Sequence, residues 1–153
     1  LDVLVNSAGI GIAGHLADLS TKHWDLQQAV NLRGTFLVTR EALPLLRASR
    51  GYVVNLASIA GTMPTPGLAA YGAAKAAVIA FTRSLVREEA EHGVRATALC
   101  PGFVDTPMAA WTGIPGPQMI QPEDCAELVR ALLRLSPHAR VPVVVVERAE
   151  AEA

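Results

Sequence analysis

The chain has 153 residues, enough for one domain with a sizeable core. Apolar residues make up 51% and the net charge is −1, so no electrostatic bias directs it to nucleic acid or an acidic membrane surface. No apolar run is long enough to span a bilayer, nothing resembles a signal peptide, and the histidines and cysteines are too scattered for a metal site; a single soluble domain in the cytoplasm is expected.

The pattern alternates strand and helix. Residues 1–6 read as a buried strand ending in Asn6, followed by a Gly-rich turn from Ser7 to Gly14. Ser20 is a good N-cap, and apolar residues then recur at helical spacing through Trp24, Leu26 and Val30, and from Phe36 to Leu46. Gly34 is a candidate kink, and Pro44 is expected to disrupt the last turns. Residues 51–57 form a short apolar strand, as in parallel sheets buried on both faces.

Residues 69–91 read as a strong helix ended by Gly93, and 94–100 as a third strand stopped by Pro101-Gly102. A loop rich in Pro and Gly covers 101–118. Pro122 and Glu123 suit the first turn of a helix to about Leu135, and 141–147 reads as a fourth strand before a charged, frayed tail. Strands separated by helices imply an α/β domain with right-handed βαβ units and a parallel sheet. Cys100 and Cys125 lie in apolar segments and read as buried reduced thiols.

Two motifs invite a chemical reading. Gly9-Ile10-Gly11-Ile12-Ala13-Gly14 matches Gly-x-Gly-x-x-Gly after a strand, but no helix opens inside it to receive a pyrophosphate. It reads as a turn that brings backbone near a ligand. Tyr71 and Lys75 lie four apart on one helix face, with Ser58 thirteen residues before the tyrosine at a strand end. A cation favours a nearby phenolate, and a hydroxyl could hold a carbonyl while the phenol exchanges a proton with it. A packed aromatic beside a surface cation is the bland alternative. The chain uses eleven arginines and two lysines, Lys22 and Lys75, which mildly favours a function for Lys75.

Asn6-Ser7-Ala8-Gly9, Asn31 in the first helix, Ser58, Tyr71, Lys75 and Pro101-Gly102-Phe103-Val104-Asp105-Thr106 occur in an order that resembles the short-chain dehydrogenase/reductase family over nearly the whole chain. The resemblance implies a Rossmann-like, doubly wound parallel sheet, truncated at its N-terminus to about four strands. The family's Gly-rich phosphate loop is not in this sequence, so the chain is similar to the C-terminal two-thirds of a member, with Leu1 to Val5 as an exposed edge.

Residue by residue, the resemblance implies that Asn6, Ala8 and Gly9 form the turn bordering the cofactor's adenosine side, with Ser7 in place of a second asparagine. Asn31 would support a water-linked proton relay, and Ser58 would orient the substrate oxygen. Tyr71 would be the general acid/base, and Lys75 would bind the nicotinamide ribose and depress the tyrosine pKa. Pro101, Gly102, Val104 and Thr106 would lie along the nicotinamide. The implied cofactor is NAD or NADP, the implied reaction the interconversion of an alcohol and a carbonyl, and the implied assembly a homodimer or homotetramer.

Met63, Phe103, Met108, Trp111 and Met119 are candidate lining for an apolar substrate pocket. The small face of Ala70, Ala73, Ala77, Ala80 and Phe81 suits either helix pairing in a dimer or ordinary core packing. Two other readings stay open: a non-catalytic, dimerising or nucleotide-sensing Rossmann-type piece, and a related epimerase or dehydratase.

Overall fold

The computed structural model describes residues 1–149 and is an α/β layer structure built on four parallel strands. These are β1 (Val3–Asn6), β2 (Tyr52–Leu56), β3 (Arg95–Pro101) and β4 (Val143–Val146), in spatial order 1-2-3-4. Register pairs Asn6 with Asn55, Leu56 with Leu99, and Pro101 with Val146, so the carboxyl ends share one rim. Strands β2 and β3 are buried on both faces, as expected of central parallel strands, with Asn55 and Thr97 as their buried polar members.

One long helical stretch joins β1 to β2. It consists of α1 (Thr21–Gln28), a π-helical turn (Ala29–Gly34) and α2 (Thr35–Ser49). Ser20 caps α1 by accepting a hydrogen bond from the His23 N–H at 3.2 Å. The expected irregularity at Gly34 is this wide π turn. Pro44 does not break α2, which continues to Ser49. Pro44 and Arg40 are both exposed, so the carbonyl that proline leaves without a helical donor faces water. Helix α3 (Ala69–Glu88) ends earlier than its sequence suggests, in a turn that closes on Gly93 at φ 72°.

Helices α2 and α3 cover one sheet face, where Leu46, Leu85 and Val86 pack on Leu4, Val53 and Ala96. Helix α4 (Pro122–Arg134) covers the other, with Leu132 against Tyr52, Val54 and Leu99. The steps β2 to β3 and β3 to β4 run in the same direction, yet their helices lie on opposite faces. Their crossovers therefore have opposite hands, and uniformly right-handed units are not what forms. Residues 102–121 carry the chain over the carboxyl rim before α4 begins, which makes the second crossover sterically accessible.

Strand β1 is an edge strand, with Val3 36% and Val5 46% exposed on the α4 face of the sheet, beyond the reach of that helix. Cys100 is buried, but Cys125 is only partly so, because it sits on α4 beside the cleft described below. The charged tail expected after β4 falls largely outside the described residues.

Candidate active site

After β2, Ser58 continues in extended backbone and its hydroxyl accepts the Ala60 N–H at 3.2 Å, opening a single 3-10 turn at Ile59–Gly61. This turn rests directly on α3. A Cβ on Gly61 would lie 2.7 Å from the Lys75 carbonyl carbon, and one on Gly72 2.7 Å from the Ala60 oxygen. Both neighbours are backbone and cannot yield, so only glycine permits the approach. The contact brings the Ser58 hydroxyl into hydrogen-bonding reach of the Tyr71 phenol.

Tyr71 and Lys75 share one face of α3, as their spacing of four predicts. Lys75 is only 4% exposed and its Nζ donates to the Leu56 carbonyl at 2.6 Å. Burial lowers the ammonium pKa to about 8. The expected depression of the tyrosine does not appear. Burial pushes the Tyr71 phenol above its ordinary value, and the Ser58 hydroxyl offsets only part of that. The reason is geometric: Lys75 Nζ is turned to the Leu56 carbonyl and stands 5.6 Å from the Tyr71 ring centroid.

The turn after β1 is held by two side chains on the long helical stretch. Asn31, buried in the π turn, accepts the Ile10 N–H at 3.0 Å and donates to the Ile10 carbonyl at 2.9 Å. Gln27, also buried, accepts the Ile12 N–H at 3.0 Å. Thr35 donates to the Asn31 carbonyl at 2.9 Å, which satisfies a backbone group inside the π turn. Gln28 reaches across to the Ala70 carbonyl at 3.0 Å and ties this stretch to the start of α3. Gln27 and Gln28 were not singled out from sequence; the spacing of four between Gln27 and Asn31 was the available signal.

Asn6 lies deeper than expected. Its amide donates to Thr39 at 3.0 Å and to Asn55 at 2.8 Å, and Asn55 donates in turn to Thr82 at 2.9 Å. This network fastens β1, β2, α2 and α3 together.

These elements frame a cleft of about 520 Å³ at the carboxyl rim. Gly9, Ser58, Tyr71, Lys75, Pro101, Gly102, Val104 and Thr106 all line it, whereas Asn6, Ala8 and Asn31 do not. Phe103, Met108 and Trp111 line it as well. Met63 does not: it lies on a separate cavity of about 340 Å³ beyond the 59–61 turn. Met119 is buried beneath the rim segment and also falls outside the cleft. Sequence reading missed Ile59, Leu68 and Cys125, which complete the wall.

Four parallel strands with flanking helices and a cleft at their carboxyl rim make a Rossmann-like α/β fold. The family model for short chain dehydrogenases matches residues 1–113, and the chain belongs to that family. An uncharacterized oxidoreductase of Staphylococcus epidermidis is 39% identical over 147 residues, covering 95% of this chain and 64% of the relative. The chain thus spans just under two thirds of the length of that relative.

Among solved structures, an alcohol dehydrogenase from the archaeon Thermococcus sibiricus, complexed with 5-hydroxy-NADP, superimposes with a TM-score of 0.90 at 28% identity, covering all of this chain and 65% of that one. A 4-hydroxyisoleucine dehydrogenase complexed with NADH and succinate gives 0.86 at 26% identity, covering 98% and 68%.

Proposed function

We propose that this chain carries the catalytic part of an NAD(P)-dependent oxidoreductase that interconverts an alcohol and a ketone or aldehyde. The observation that carries the reading is the meeting of Ser58, Tyr71 and Lys75 on one wall of a cleft at the carboxyl rim. The nicotinamide cofactor, when bound, supplies or accepts the hydride that no side chain can carry.

The residues present suit its nicotinamide end. The turn after β1 contributes only small residues to the lining, Ser7, Gly9 and Gly11, so its backbone is open to a ligand. Lys75 would hold ribose hydroxyls, while Pro101, Gly102, Val104 and Thr106 would border the nicotinamide. Gly9, with its neighbours Asn6 and Ala8, would shape the turn toward the adenosine side. The related structures carry NADP-type or NADH ligands, so either cofactor is compatible.

During reduction, negative charge grows on the substrate oxygen. The Ser58 and Tyr71 hydroxyls donate hydrogen bonds to it, and Tyr71 gives up its proton to complete the alcohol. A phenol whose pKa is raised by burial keeps that proton at neutral pH, which suits the acid's role. In the oxidation direction the same phenol must first lose it, so oxidation gains as pH rises. Asn31 acts at a distance, by fixing the turn that carries Gly9 and Gly11. The exposed Ala73 and Ala80 of α3 supply a small face suited to a homodimer or homotetramer.

The test is Tyr71→Phe, assayed by NADPH and NADH consumption against a carbonyl panel. Loss of the general acid is expected to lower turnover by about 10²–10⁴-fold while cofactor binding persists. Unchanged turnover in the variant would overturn the assignment.

A further inference from the structure

Residues 102–121 form a flap over the carboxyl rim, and its construction bears on what the cleft can hold. The base of the flap is rigid. Phe103 accepts the Ile120 N–H at 3.0 Å, Asp105 donates to the Ile120 carbonyl at 2.9 Å, and Gly102 donates to the Val146 carbonyl at 2.8 Å. Gln121 then reaches back to the Gly116 and Met119 carbonyls, each at 3.0 Å. The tip, a 3-10 turn at Pro107–Thr112, carries Met108 at 46% exposure and Trp111 at 59%. Large apolar side chains are thus displayed at the cleft from a fixed base.

The flap's own acid is kept away from the cleft. Asp105 is absent from its lining, and its carboxylate packs so closely on Gly116 that a Cβ there would touch it. Among the described residues that line the cleft, Lys75 alone carries a charge, and the donors it does not give to the Leu56 carbonyl are the ones that would hold the ribose hydroxyls. Among the described residues no arginine lines it, so they offer no planar fork to a carboxylate or phosphate. Phe103 and Trp111 meet edge to face with centroids 6.1 Å apart, the arrangement aromatic rings prefer.

Resting on the oxidoreductase reading above, we infer that the substrate is an uncharged carbonyl or alcohol bearing an aromatic ring, gripped between Trp111 at the flap tip and the Ser58–Tyr71 wall. A charged substituent lying against the flap residues would lose its water without meeting an opposite charge. A flat ring instead adds a third member to the Phe103–Trp111 pair. Trp111 is therefore a specificity-determining residue, set apart from the groups that handle the proton.

The experiment measures binding separately from turnover. The full chain is titrated calorimetrically, with NADPH or NADH present, with a neutral aryl methyl ketone and with its para-carboxylate analogue. The neutral ketone is expected to bind at least tenfold more tightly. Trp111→Ala should erase that preference by weakening the neutral ligand at least tenfold, while Leu16→Ala, an exposed apolar change outside the cleft, should leave it intact. Because Trp111 is largely exposed, its removal takes nothing from the core.

Equal binding of the two ligands, tighter binding of the carboxylate, or a Trp111→Ala variant that binds like the parent would each overturn the inference. Selective binding of the neutral ketone that Trp111→Ala erases, with no NAD(P)H-linked turnover, would uphold the inferred ligand preference and overturn the oxidoreductase reading instead.

Discussion

Lys75 offers the sharpest test of the energetics, because burial brings its titration far below the ordinary lysine range. Burial holds its pKa to about 8, against an ordinary value of 10.5. A gap of about 2.5 pH units corresponds to about 3 kcal/mol. Between pH 8 and 10.5 the unfolded chain holds this proton while the folded chain has released it. Stability therefore rises with pH through that window, and below it the buried ammonium is a net cost.

Lys75→Met keeps the apolar stem and removes the titration. It also strips the Leu56 carbonyl of its donor, which costs about 1–3 kcal/mol, so the two proteins should be close in stability at pH 7. Urea unfolding of both across pH 7–10.5 isolates the lysine together with its coupling to the Cys100 thiol, since groups that do not feel the ammonium cancel in the difference. The parent should gain about 3 kcal/mol on the variant over that range, or about 6–12 °C in Tm. A difference that stays flat across the window would refute the claim that Lys75 is a desolvated, proton-releasing ammonium.

Other predictions concern packing and the acid limb. Gly61→Ala should destabilise by about 1–3 kcal/mol, because its methyl meets the backbone of Lys75 and Ala76. It should also lower turnover more than it raises the cofactor KM, by prising Ser58 away from Tyr71; a variant with parental Tm and kcat would contradict the close-approach argument. Glu89 is held below the usual carboxylate range by the Arg47 guanidinium, which bonds it at 2.6 and 2.7 Å. Its contribution is present above the unfolded carboxylate value of about 4.3 and fades as pH falls through the lower folded value. Denaturant melts of Glu89→Gln should accordingly show a deficit at pH 7 that narrows with acidification, and a pH-independent deficit would count against the ion pair.

Much of the fold was legible because local chemistry and tertiary packing agree. Ser20 caps the helix it was expected to cap, and the apolar runs of β2 and β3 are buried on both faces as parallel strands demand. Tyr71 and Lys75 share a face because the period of α3 puts them there. What sequence could not supply were facts of three-dimensional approach. The hand of the β3–β4 crossover depends on which face α4 chooses, and nothing within 122–134 encodes that. The phenol's pKa depends on where the Lys75 ammonium points, and a strand-end carbonyl captured it. Gln27 looks like a solvated polar residue until the turn after β1 is seen to need an acceptor, and Gln28 until the Ala70 carbonyl at the start of α3 is seen to need a donor. Met63 and Met119 were grouped with the cleft on apolar character, but the 59–61 turn and the flap base divide them from it.

The amide chain from Asn6 through Asn55 to Thr82 has a consequence for strand alignment. In most sheets, register is enforced by an apolar face that must stay inside. On β1 that rule has less to hold, since Leu4 packs into the core while Val3 and Val5 are 36% and 46% exposed. A shift of one residue would instead swing Asn6 away from Thr39 and leave the buried Asn55 amide oxygen without its donor. The asparagine pair thus works as an alignment key: it sets the height of the first strand, and with it the position of the turn that forms one wall of the cleft.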